Sequence, residues 1–158
     1  MTSRDADLGT YAITREDPGA DWDAYVGRTF DGCYSQLSGW RTVLSDAMGH
    51  KTVHLVARDR DGVPSGALSM AWVRSAIAGR YLVSMPFLDV GGPIGAPEAR
   101  AALASVAAEE ARRGHADLLE LRTRQPCDAL ATSHRKLAVC LSLAETSDAM
   151  WQRFPSKL

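Results

Sequence analysis

Between residues 21 and 30 the apolar side chains Trp22, Tyr25, Val26 and Phe30 return every three or four positions, with Thr29 beside them. That spacing puts them on one face of an α-helix, and Asp21 is placed to cap it. A second helix is predicted to begin near Ser35 or Ser38. Leu37, Trp40, Val43, Leu44, Ala47 and Met48 fall roughly on one side of it, and Gly49 stops it. The period then changes. Residues 52–59 read as a strand, Asp59-Arg60-Asp61-Gly62 as a turn, and the stretch beyond as a second strand ending near Val73, together a hairpin. A third strand, residues 80–86, runs into Val90-Gly91-Gly92-Pro93-Ile94-Gly95. A helix follows: Pro97 suits its first turn, Ala99, Ala102, Leu103, Val106 and Ala107 form its buried stripe, and Arg112-Arg113-Gly114 closes it.

Downstream, residues 117–122 read as a strand and 125–133 as an irregular or short helical connection. Residues 135–144 read as a last strand, in which Leu137, Val139, Leu141 and Leu143 alternate. A short extended piece surrounds Tyr11-Ala12-Ile13. At the other end, Thr146 or Ser147 caps a helix with Met150, Trp151, Phe154 and Leu158 as apolar positions, interrupted by Pro155. An antiparallel beginning followed by a helix-crossed later part predicts an α/β (α+β) fold, a mixed sheet flanked by helices.

With 158 residues, nearly half of them apolar, the chain can bury one core, and one domain is expected over residues 1–145. Basic and acidic residues nearly balance, which removes the charge excess that bulk nucleic-acid or anionic-membrane binding requires. The polar, acidic start and the lack of a long apolar run predict a cytoplasmic protein with no membrane span. Cys33, Cys127 and Cys140 are odd in number and lack CxxC spacing. His50, His54, His115 and His134 are scattered, so neither disulfide nor metal site is expected.

Three features together carry a family resemblance: residues 30–40 (FDGCYSQLSGW), the Asp59–Gly62 turn, and residues 84–93 (SMPFLDVGGP). With them the chain resembles, over almost its whole length, the amino-terminal GNAT-like domain of FemAB-type acyltransferases. That family includes the aminoacyltransferases of peptidoglycan cross-bridges and the FemAB-related proteins associated with exopolysaccharide and exosortase systems. Residues 146–158 resemble the start of the linker helix that leads on to a second GNAT-like domain; a terminal helix packed back onto the core is the other reading. The resemblance implies transfer of an aminoacyl or acyl group to an amine of a cell-envelope precursor by a domain incomplete alone; the other readings are a self-contained CoA-dependent GNAT N-acyltransferase and a non-catalytic dimerisation or binding module. It further implies aminoacyl-tRNA or acyl-CoA as donor, no tightly bound cofactor, and a second GNAT-like domain or a homodimer as partner.

By position in that fold, Asp89 borders the active site and is the candidate proton acceptor; the plainer reading is a loop cap. Tyr34, Trp40, Phe87, Gly91 and Gly92 are candidates for acceptor binding, although Trp40 at helical spacing also suits a core. Gly95 belongs to the loop where a GNAT enzyme holds the CoA pyrophosphate. The usual pattern there is glutamine or arginine, two residues, glycine, one residue, then glycine or alanine. Here Gly92 stands first, Gly95 fourth, and Pro97, which has no amide to offer, last. The same loop can equally serve to bend a strand into a helix. Cys33 is expected to be a small buried thiol rather than a nucleophile. Arg112 and Arg113 complement a helix end, and Arg122 and Arg124 face either solvent or an anion.

Overall fold

The computed structural model describes residues 6, 7, 11–75, 77, 79–127, 129–133, 139 and 141–154. Among the described residues seven strands make one mixed sheet: β1 (Ala6–Asp7), β2 (Ala12–Arg15), β3 (Lys51–Arg58), β4 (Pro64–Ser75), β5 (Gly79–Val83), β6 (Ile94–Gly95) and β7 (Leu118–Glu120). They lie in the order β1-β2-β3-β4-β5-β7, with β6 added to β4. Every pairing is antiparallel except β5 with β7.

Alternation along the strands assigns the two faces. Val53, Leu55 and Ala57 of β3, Leu68, Met70 and Trp72 of β4, Ile13 and Leu82 form a core with Ala99, Ala102, Leu103, Ala107 and Ala111 of helix α3 (Pro97–Arg113). The stripe expected on this helix is therefore present, extended by Ala104 and Ala111. Its small residues let α3 sit close to the sheet. A Cβ at Gly66 would stand 3.0 Å from both the Ala99 Cβ and a Leu103 methyl, a tightness expected of close-packed interiors. The Arg15–Glu110 ion pair, at 2.7 Å, ties β2 to the same helix.

The opposite face is covered by helix α1 (Ala20–Arg28), a 3₁₀ turn (Tyr34–Gln36) and helix α2 (Gly39–Thr42), which continues as a π-helical turn over Val43–Ala47. Trp22, Tyr25 and Val26 of α1 pack on Val56, Ala67 and Ile94, while Leu44 packs with Ala71 and Met85. The three layers are thus α3, sheet, and α1 with α2.

Several expectations need correction. Gly19, not Asp21, occupies the N-cap of α1; Asp21 lies inside the first turn, where its charge complements the helix dipole. Phe30 lies outside α1 and is 97% exposed, because the helix ends at Thr29, whose amide and hydroxyl both donate to the Tyr25 carbonyl. The second helix is broken: residues 34–36 form their own turn, and only Leu44 of the proposed stripe is buried, with Val43 and Met48 turned to solvent. Gly49 does end it, at φ 68°. The third strand stops at Val83, since Met85 and Phe87 take positive φ values of 45° and 70°, which no ladder accepts. Of the expected last strand, residues 135–138 and 140 lie outside the described residues. Val139 and 141–144 are in no strand, with Val139, Leu141 and Leu143 exposed.

The Asp59–Gly62 turn forms as read. The Asp59 amide donates to the Val63 carbonyl at 3.0 Å, the Asp59 carboxylate accepts the Asp61 and Val63 amides, and Gly62 supplies φ 78°. Thr146 caps helix α4 (Ser147–Trp151), accepting the Ala149 amide at 3.2 Å; α4 buries none of its residues. Pro155 and Leu158 lie outside the described residues. Among the described residues no helix is long and apolar enough to cross a membrane.

Candidate functional site

Strand β4 has a single long neighbour on one side and two short ones on the other. Opposite β3, its carboxyl half pairs with β5, placing Ala71 across from Val83, and its amino half pairs with β6, placing Ala67 across from Ile94. Three residues of β4 (68–70) thus face ten (84–93) of the segment joining β5 to β6, an excess of seven. The segment accommodates this excess by leaving the sheet as a detour over residues 84–93, and Phe87, Asp89, Gly91 and Gly92 all ride on it.

Hydrogen bonds fix the detour at both ends. The Ser84 amide donates to the Glu120 carbonyl at 2.9 Å, and the Ser84 hydroxyl accepts the Arg122 amide at 2.8 Å. Arg122 then acts as a clamp. Its carbonyl accepts the amides of both Gly91 (3.0 Å) and Gly92 (2.9 Å), and its guanidinium donates to the Leu88 carbonyl at 2.6 Å and to Glu120 at 3.0 Å. From the other side Gln36, which is buried, donates from Nε2 to the Gly92 carbonyl at 2.7 Å, accepts the Cys33 amide at 3.1 Å, and receives the Trp22 indole N–H on its own carbonyl at 2.6 Å. Gly91 and Gly92 are needed because side chains there would overlap Met85 and Thr123.

The glycine amides are thus engaged within the protein. The space bounded by Asp31, Gln36, Gly92, Pro93, Thr123, Arg124 and Gln125 is only about 10 Å³, room for one water at most. Gly95, at φ 114°, is occupied with pairing to Gly66, and the Ala96 amide donates to the Ser65 carbonyl at 3.3 Å. The loop bends the chain from β6 into α3, with the Gly91 and Gly92 amides bonded inside the protein.

Replacing Gln36 by Ala is expected to leave the Gly92 carbonyl and the Cys33 amide without partners, at a cost of about 2 kcal/mol. Hydrogen exchange at the Gly91 and Gly92 amides should then quicken more than exchange in β3. Unchanged exchange in the detour would show that the glutamine does not hold it.

The aromatic candidates converge on one edge. Trp40 is half-buried, packs with Leu88 against Leu44, Ala71 and Met85, and donates its indole N–H to the Tyr34 carbonyl at 3.0 Å. Phe87, 64% exposed, stacks on the His50 ring with centroids 5.8 Å apart, and Tyr34 is 68% exposed. Trp40 is therefore partly core and partly wall. Asp89 is exposed on the detour and has no hydrogen-bond or ion-pair partner among the described residues, so it does not serve as a loop cap. No family model matches this chain, and no curated protein matches it either.

The remaining candidates sort readily. Cys33 is half-buried rather than buried, with Sγ 2.7 Å from the Ser35 hydroxyl. Arg112 and Arg113 both pair with Glu109 at the end of α3; such exposed pairs contribute little. Arg124 is exposed, whereas Arg122 is the clamp. Among the described residues no three His, Cys, Asp or Glu side chains gather to hold a metal. Sequence reasoning missed Gln36, whose burial no periodicity signals, and the clamp role of Arg122.

Proposed function

We propose that this chain is a GNAT-like domain of FemAB type that binds the amine acceptor of an acyl transfer and holds no CoA of its own. One observation carries the reading: the Gly91 and Gly92 amides close onto the Arg122 carbonyl just past the carboxyl ends of the two parallel strands, the region where an ordinary GNAT enzyme would receive its CoA. The order of elements agrees with a GNAT-like domain, two helices before an antiparallel set of strands, then a helix crossing to a parallel one.

In this reading Tyr34, Trp40 and Phe87 form a wall for the acceptor, a cell-envelope precursor bearing a free amine. Asp89 at its rim takes the proton as the amine nitrogen attacks the acyl carbon. The ester oxygen of an aminoacyl-tRNA-type donor then departs with that proton. A second GNAT-like domain, in the same gene product or a second copy, supplies the donor site and the oxyanion contacts.

Calorimetric titration with acetyl-CoA tests the central claim. No saturable heat is expected up to millimolar ligand; one-to-one binding would sink the proposal and favour a complete CoA-dependent enzyme. A lysine-bearing peptidoglycan stem peptide should shift the Trp40 indole resonance, and Phe87→Ala should weaken that response severalfold. An indifferent Trp40 would remove the acceptor role.

A further inference from the structure

On the face of the sheet that carries α3, the alternation that buries Val53, Trp72 and Leu82 continues outward into Lys51, Arg74 and Arg80. Three cations therefore follow the core at one end of this face. Register sets their spacing: Lys51 lies directly across from Trp72, and Arg74 directly across from Arg80. Like charges opposite one another on one face repel. Helix α3 does not cover them, because its last residues reach only as far as Trp72, whose ring a Cβ at Gly114 would overlap. The acceptor wall, packed on Ala71 and Met85, lies on the far side of the sheet.

Arg80 is held in place by the core itself. Its guanidinium lies over the Trp72 ring, 4.3 Å from the centroid, and that ring is only 5% exposed. A guanidinium stacked on a buried indole is oriented before any ligand arrives, which spares the ligand the cost of ordering it. Its hydrogen-bonding capacity is nevertheless unfilled. Nε is buried with no partner, and neither terminal nitrogen bonds to another described residue. Buried polar groups without partners are rare in native proteins.

The carboxylates on the neighbouring elements are engaged elsewhere. Asp117 accepts the Arg80 backbone amide at 2.8 Å and forms no ion pair with the guanidinium, Glu110 pairs with Arg15, and Glu109 pairs with Arg112 and Arg113. Among the described residues Lys51, Arg74 and Arg80 have no ion-pair partner. Even with Asp117 counted against them, the three cations leave two positive charges uncompensated, in a chain whose net charge is −1.

We propose that this end of the sheet binds a phosphate group, held between Arg74 and the stacked Arg80, with Lys51 closing on it from the side. A doubly charged anion matches the charge left uncompensated, and its tetrahedral oxygens suit two guanidinium forks. Its arrival turns the repulsion between the two arginines into attraction toward a shared partner. The phosphate belongs either to a soluble phosphate ester or to an anionic lipid headgroup, two sources of one chemistry that the test separates. The site stands apart from acyl transfer and does not depend on that reading.

The test is a titration of the intact chain with inorganic phosphate at mildly alkaline pH, with acetate at matched ionic strength as control, followed by NMR at the Arg80 Nε–H and the Trp72 indole N–H. Phosphate is expected to saturate with a dissociation constant on the order of a millimolar, given so few ligand atoms, and acetate to give no saturable shift. Arg74→Gln, at an exposed position and safe for folding, should weaken phosphate at least about fivefold, as the loss of a charge-assisted contact implies. Arg80→Lys keeps the charge without the fork or the stack and should weaken it severalfold. Cosedimentation with phosphatidylglycerol vesicles, and not with phosphatidylcholine vesicles, would assign the phosphate to a lipid headgroup; sedimentation with neither would assign it to a soluble ester. Equal responses to phosphate and acetate, no saturation at tens of millimolar, or an Arg74→Gln variant that binds as the parent does would each overturn the proposal.

Discussion

Gly95→Ala should unfold at a temperature lower by about 10 °C, a loss of about 4 kcal/mol for a domain of this size. Two independent penalties meet at this position. Its φ of 114° lies where an L side chain is strained, and the added Cβ would overlap the Ser65 carbonyl oxygen while standing 2.6 Å from the Tyr25 hydroxyl. Neither neighbour can retreat cheaply. Ser65 is fixed because its carbonyl accepts the Ala96 amide, and Tyr25 is part of the buried cluster with Val56 and Ile94. Thermal unfolding followed by circular dichroism checks the result. A loss below about 1 kcal/mol, no more than an ordinary surface change, would mean that β6 is not held against β4 as described.

Acidification from pH 6.5 to pH 4 should cost about 3 kcal/mol of stability through His54 alone. Burial beneath α1 lowers its pKa from 6.5 to about 4, outweighing the field of Asp17, which pulls the other way. The folded state therefore keeps the imidazole neutral where the unfolded chain would protonate it. The unfolded state binds more protons in this window, so stability is full above pH 6.5 and declines as pH falls toward 4. Glu16, held low by Arg58, adds its own loss only below the ordinary carboxylate range. Urea denaturation at pH 7 and pH 4.5 gives the slope, and His54→Leu isolates the group. The variant should be less stable at pH 7, because the Ser69 hydroxyl, 3.0 Å from the His54 Nδ1, is orphaned, yet should lose less on acidification. Parallel pH profiles for parent and variant would place the acid sensitivity elsewhere.

Much of this architecture could be read from the chain because it rests on local chemistry. The Asp59–Gly62 turn, the alanine stripe of α3 with Pro97 before it and Gly114 after it, and the Thr146 cap each depend on residues a few positions apart. Two kinds of feature escaped. The first is competition between equally plausible local structures: residues 35–48 have helical spacing, but Gln36 gains more by turning inward to Gly92, 56 residues away, than by joining a helix. The second is register. Nothing local indicates that β5 halts at Val83 and that the chain returns to β4 at Ile94, because that depends on which residues of β4 remain to be paired. Of the residues singled out in the chain, Trp40 does meet the Tyr34 carbonyl and packs with Leu88, the neighbour of Phe87 and Asp89. The use of the Gly91 and Gly92 amides was not legible, since their acceptor, Arg122, lies 30 residues downstream.

That acceptor gives the detour the standing of a tethered competitor. A guest reaching the carboxyl ends of β5 and β7 would have to displace a segment already in place, attached at both ends and hence present at high effective concentration. Its apparent dissociation constant would be the intrinsic one divided by the fraction of molecules in which the two glycine amides have let go. Weakening the detour from the Gln36 side would raise that fraction without touching the guest's own contacts. Affinity at this seam is therefore set by the cohesion of the host as much as by the chemistry of the visitor.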